Sequence, residues 1–233
     1  MKRCLIVRHG NTFRPGEIPR RVGGRTDLPL VEEERARAVG RYLSANGLRV
    51  DRIYAAPLLR TTRTAELIAE EARLSLPVIA EPRFTEIDYG PDENKTETDV
   101  KQRLGEEMAR RAGMSSLPVA EVLSLGERVL DEWNTHAIVP PGWHVDVEGI
   151  ARAWRCFASD IPDGENVLIC TSNGIIRFAP LLLEDHAAFC REHNIKVSTG
   201  SLSIFRHDGE RWLCDAWNIE PYRMSLDSSR PRG

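Results

Sequence analysis

Four short stretches carry the residues best equipped for chemistry. "LIVRHGNT" sets Arg8, His9 and Gly10 just past an apolar run. "YAAPLLRTTRTAE" puts Arg60 three residues after Pro57, in the first turn of a helix and so at its positive end. "FTEIDYG" offers Glu86, with Asp88 as its neighbour. "VLICTSNGIIRF" closes another apolar run with Ser172-Asn173-Gly174. Each stretch follows a strand-like segment, and open α/β sheets bind ligands beyond the carboxyl ends of their strands. Taken alone, R-H-G reads as a strand-end histidine beside a solvated arginine. Together, the four ends present Arg-His, Arg, Glu and Asn to one rim. The amide of Asn173 can donate a hydrogen bond there, but it can neither become cationic nor shuttle a proton.

The elements that must position these residues alternate between strand and helix periods. Leu5-Ile6-Val7 predicts a buried parallel strand. Residues 31 to 46, charged and Ala-rich, predict a helix stopped near Gly47. Strands are expected around Ile53-Tyr54-Ala55, at Val78-Ile79-Ala80 and from Val167 to Cys170, with a helix starting at Pro57 between the first two. A further helix is expected from about Ile175 to Leu183. "GSLSIFRHD" and "RWLCDAWN" are joined by Asp208-Gly209, a hairpin turn signal. This order implies an α/β fold: a doubly wound, mainly parallel sheet with helices on both faces and an antiparallel edge strand from the C-terminal hairpin. From 91 to 162 the strand signal vanishes, and helices are expected near 95–113, 120–134 and 146–159. That stretch reads as a helical cap or insertion on a single domain spanning 1–233, with Trp133, Trp143 and Trp154 as its own small core.

Composition narrows the function. A hydrophobic fraction of 41% and a charged fraction of 29% are ordinary for a globular protein. Net charge is −3, with a pI near 6.1, which points to neither a nucleic-acid nor a membrane partner. No apolar run reaches the ~18 residues needed to cross a bilayer, and the N-terminus does not read as a signal peptide; a cytoplasmic location is expected. The five cysteines form no C-x-x-C pair and suggest buried thiols rather than disulfides or a zinc site. His136 and His144 flank "AIVPPGW", from which one could reach the cleft, whereas His186, His193 and His207 read as surface or capping residues. No histidine spacing suits a metal.

The motifs in order resemble the histidine phosphatase superfamily, the phosphoglycerate-mutase-like family. "LIVRHGNT" resembles its R-H-G signature, "GRTDLPL" the lead into its first helix, and "AAPLLRTTRTAE" its S-P-L-x-R-x-x-x-T-A helix start. "FTEIDYG" resembles its acid-bearing loop and "LCDAWN" its final strand. The resemblance implies a covalent phosphohistidine mechanism with no metal or other cofactor. His9 would attack phosphorus, Arg8 and Arg60 would clamp the phosphoryl oxygens, and Glu86 would protonate the leaving oxygen and later deprotonate water. The implied partner is a small anionic phosphorylated substrate; the oligomeric state stays open, a dimer included.

Two departures stand out. The family carries a second histidine where this chain has Asn173. Three readings compete: a working neutral donor, a phosphate-binding relative without catalysis, and a histidine exchanged to trap a complex. Thr171 and Ser172 are expected to hold the amide through their hydroxyls. The mutase stretch after R-H-G is also missing. "NTFRPGEIPRRVGGRTD" stands there instead, in which Thr12 could reach a phosphoryl group and Arg14, Arg21 and Arg25, with Arg20, would attract an anion. A phosphomonoesterase is the expected activity, ahead of a non-catalytic phospho-ligand binder and of a mutase.

Overall fold

Strand β1 (Lys2–Arg8) pairs in parallel with β4 (Asn166–Thr171) and antiparallel with β5 (Leu202–His207). Strand β2 (Arg52–Ala55) lies parallel to β4, and β3 (Val78–Ala80) parallel to β2. Strand β6 (Trp212–Ile219) runs antiparallel to β5, giving the order β3-β2-β4-β1-β5-β6. The computed structural model describes residues 1–228. Register sets the rim: Arg8 lies opposite Thr171, and Ala55 opposite Cys170. The residues that follow β1, β2 and β4 therefore leave the sheet at nearly one level.

Side chains alternate between two cores, as the pleat requires. Leu5, Val7, Leu168 and Cys170 pack beneath α1 (Glu34–Ala45) and α2 (Leu59–Glu71). Ile6, Val167 and Ile169 face the other way, into a cluster with Trp154 and Phe157 of α5 (Val147–Asp160). All three expected tryptophans join this second cluster, so they extend the main core instead of forming a separate one. Helix α5 covers the sheet directly, while α3 (Glu97–Arg111) and α4 (Val119–His136) pack on each other. Their contact is close: a Cβ on Gly105 would run into the Val122 carbonyl, and one on Gly126 into that of Lys101.

After β4 the expected helix over 175–183 is broken. Helix α6 is a single turn, Asn173–Ile176, and a 3₁₀ turn follows at Ala179–Leu182. Pro180 lacks the N–H needed to continue an α-helical ladder. Helices α7 (His186–Glu192) and α8 (Pro221–Ser228) complete the elements. Cys4 and Cys170 are buried, Cys156 is exposed, and all the cysteines are free thiols. Among the described residues no helix is long and apolar enough to cross a membrane.

Candidate active site

His9 is 7% exposed and follows β1 directly. Its Nδ1 lies 2.7 Å from the Gly10 carbonyl oxygen. A carbonyl only accepts, so Nδ1 carries the proton and Nε2 keeps the lone pair. Burial first, then the Arg60 and Arg8 charges, hold the imidazole well below its ordinary value. At neutral pH the ring is uncharged.

The Arg8 guanidinium donates through Nη1 to the Val197 carbonyl. Arg60 is fully buried and donates to the carbonyls of Thr26 at 2.9 Å and Gly23 at 3.2 Å. Both Nε atoms are buried without a hydrogen-bond partner. Arg60 stands behind the wall of the cavity that Arg8 and His9 line, and its charge acts on His9 from there.

Glu86 comes from the loop after β3 and is 7% exposed. Its carboxylate accepts from the backbone N–H groups of Ile87 at 2.9 Å and Gly174 at 3.2 Å. Burial raises its proton affinity above the usual carboxylate value, against the opposing pull of those donors and of Arg60 and Arg177. Glycine at 174 leaves room for this carboxylate, since a Cβ there would run into Glu86 Oε1 and displace it. Asp88 is engaged differently. It accepts from Arg25 Nε at 2.9 Å and Gly90 N at 2.7 Å, and lies 3.0 Å from His144 Nδ1.

Asn173 opens α6, with its side chain on the cavity. Its Oδ1 accepts from the Val197 backbone N–H at 2.9 Å. Since an N–H can only donate, the oxygen is fixed on that side and Nδ2 keeps its two donors for other partners. The expected hydroxyl supports do not hold it. Thr171 Oγ1 donates to the Phe84 carbonyl at 2.6 Å, and Ser172 Oγ is buried without a partner. One residue, Val197, thus fixes Asn173 by its N–H and Arg8 by its carbonyl.

The cavity measures about 620 Å³, within the range of small-ligand sites. Arg8, His9, Thr12, Arg14, Arg21, Glu86 and Asn173 all line it. Arg25 does not; its pairing with Asp88 and the Gly90 carbonyl turns it to the rim. Neither His136 nor His144 reaches the cavity. Arg21 stacks 4.9 Å from the Trp143 ring and 5.2 Å from that of Tyr89, and pairs with Glu97 at 2.8 Å. Buried Trp143 is therefore a support for Arg21.

Tyr89, Arg177 and Lys196 also line the cavity, and sequence reasoning passed over them. Arg177 was accessible to it, lying one helical turn after Asn173. Lys196 gave no local signal, since it arrives on the loop before β5.

The chain matches a known family over nearly its whole length. The model of the histidine phosphatase superfamily, branch 1, fits residues 4–220. The chain belongs to this superfamily. Among superfamily relatives, a 2,3-bisphosphoglycerate-dependent phosphoglycerate mutase of Methylobacterium sp. is 40% identical over 197 residues, covering 79% of this chain and 82% of its own length. A probable phosphoglycerate mutase, GpmB, of Serratia proteamaculans is 26% identical and covers 94% of this chain and 92% of its own. The fold is shared with the phosphoglycerate mutase of Bacillus anthracis, with a TM-score of 0.68 at 18% identity, covering 97% of this chain and 96% of that one. It is shared equally with a mycobacterial glucosyl-3-phosphoglycerate phosphatase, Rv2419c, with a TM-score of 0.66 at 21% identity, covering 93% and 98%. The superfamily thus places both phosphatases and mutases on this fold.

Proposed function

We propose that this superfamily member is a metal-independent phosphomonoesterase acting through a phosphohistidine at His9. The observation that carries the reading is a buried, neutral imidazole with Nε2 unprotonated, set beside two guanidiniums and a carboxyl group of raised proton affinity. Nε2 attacks phosphorus as the ester P–O bond breaks, and Glu86 gives its proton to the departing oxygen. Water then attacks the phosphohistidine, Glu86 takes its proton, and inorganic phosphate leaves. The Arg8 guanidinium and the Asn173 amide meet the phosphoryl oxygens throughout, with the Arg60 charge behind the wall adding to the positive field, which is the stabilisation that phosphoryl transfer chiefly needs. Thr12 also reaches the phosphoryl group, and Arg14 and Arg21 contact the rest of a small phosphorylated substrate. A mycobacterial phosphatase of the same fold has been solved with inorganic phosphate, which supports a ligand of that kind.

A mutase is the second reading, favoured by the name of the Methylobacterium relative. In that case the phosphohistidine passes its phosphoryl group to a hydroxyl acceptor instead of water. Against it stands the Arg-rich, Pro-bearing stretch after Gly10. Incubation with an aryl phosphate should release inorganic phosphate at a rate unchanged by chelator and abolished in His9→Ala. Glu86→Gln should slow esters with high-pKa leaving groups more than those with low-pKa ones. Full activity in His9→Ala would refute the mechanism. Interconversion of phosphoglycerate isomers without phosphate release would select the mutase.

A further inference from the structure

Arg177 has no part in the steps above, yet it is among the largest fully buried side chains of the molecule. Its backbone N–H donates to the Asn173 carbonyl at 3.3 Å. A single helical turn separates the two residues and brings them to the same side, and both line the cavity of Arg8, His9 and Glu86. The end of α4 holds the guanidinium. Nη1 donates to the Trp133 carbonyl at 2.5 Å, and the group lies 3.9 Å from the Trp133 ring centre. Its Nε is buried without a hydrogen-bond partner.

Neither contact supplies a full negative charge. Removing a cation from water costs several kcal/mol, and a ring face and a carbonyl recover only part of that. Burial is the main cost to the charge; Tyr89 and Glu86 favour it, while Arg21 and Arg8 repel it. Burial lowers the Arg177 value to about 10, so the group is still charged at neutral pH. A charge kept under these conditions, with an unused N–H, suits a site that receives an anion.

We propose that Arg177 is a second cationic contact, beside Arg8, for the anion bound at His9, supplying the charge that the neutral amide of Asn173 cannot. This rests on the phosphoryl-transfer reading of the same cavity. Asn173 then contributes an oriented donor and Arg177 the positive charge, the two separated by one turn. The rival role is a strut joining α4 to α6, which needs the bond to the Trp133 carbonyl but not the charge.

Two substitutions separate these roles. Arg177→Gln keeps an N–H donor for the Trp133 carbonyl and loses the charge, whereas Arg177→Lys keeps the charge. Affinity for inorganic phosphate is measured by calorimetry, kcat/KM with an aryl phosphate, and thermal midpoint in parallel. Arg177→Gln should weaken phosphate binding by about tenfold or more, the size expected for one lost charged contact, and Arg177→Lys should recover most of it. A Gln variant that binds phosphate within about twofold of the parent, or a Lys variant no better than Gln, overturns the inference. Should Arg177→Gln fail to fold, the Arg177 Nε–H resonance of the unmodified protein decides, since it must shift when phosphate is added. Phosphate affinity that depends on Arg177 without any turnover would retain this inference and remove the esterase. Turnover with affinity independent of Arg177 would do the reverse.

Discussion

At position 173 the chain needs a group that accepts from the Val197 N–H and still donates to the cavity. A carboxamide meets both demands at once. A neutral imidazole could also do so, but an imidazolium has no acceptor left, and the nearby Arg8 would oppose its charge. Asn173→His should therefore not raise kcat/KM tenfold, roughly 1.4 kcal/mol, at any pH from about 5 to 9. Asn173→Asp keeps the acceptor for Val197 but loses the donor and faces the phosphoryl group with a negative charge. Its kcat/KM should fall by about 10²–10³ with little change in thermal midpoint. A tenfold gain in the histidine variant would show the amide to be a loss. The pH profile follows from the two titrating groups. His9 must be neutral, and its value is depressed, so activity persists below pH 6.5 and is lost only as pH falls through the lower value. Glu86 must begin protonated, and its value is raised, so the alkaline limb lies above the ordinary carboxylate range. Arg60→Gln removes the larger of the two charges depressing His9 and should move the acid limb upward. An unmoved limb would mean that burial and Arg8 set it without Arg60.

Among the elements, α3 and α4 matter for what they hold in place. Trp133 from α4 carries Arg177, and Trp143, from the loop after α4, carries Arg21. Trp143 Nε1 in turn donates to Asp92, which is 1% exposed and also paired with Arg103 of α3. These supports depend on the close approach of the two helices at Gly105 and Gly126. Gly126→Ala should cost about 1–3 kcal/mol in denaturant unfolding and raise KM, because the helices must separate. Wild-type stability in that variant would show that α4 can move without penalty. The three helices of this stretch were legible from their periodicity and caps. Thr96 starts α3 with a capping box, a short-range signal of the kind sequence displays. The break after Ile176 was not, because an apolar run through "GIIRFAPLLL" suits a helix until Pro180 is given its full weight.

Over the whole molecule, positive charge is concentrated in one cavity of a chain whose net charge is −3. The parallel strands and the rim were readable because buried strands appear as continuous apolar runs ending in polar turns. His9, Glu86 and Asn173 could be set on one rim in this way, and all three line the cavity, His9 directly after its strand and Glu86 beyond a 3₁₀ turn. What holds them was hidden, since Val197 lies 24 residues from Asn173 and 189 from Arg8. Such partners depend on the tertiary path of the chain and leave no periodic trace. Arg25 was misplaced for the same reason: nothing local shows that Asp88 lies across from it.

The loop before β5 carries one more consequence, in time instead of energy. It belongs to no strand, yet Val197 N–H is held by Asn173, Ser198 N–H by Asn218 at 2.7 Å, and Thr199 Oγ1 by Asn11 at 2.8 Å. An amide proton leaves only when its local structure opens. Val197 should therefore exchange with deuterium far more slowly than a loop normally does. Bound phosphate should slow it further, and Asn173→Ala should quicken it by about tenfold. Loop-like exchange at Val197, indifferent to phosphate, would mean that the peptide is not tied to the site, whereas protected exchange would let one backbone proton report when the anion pocket is closed.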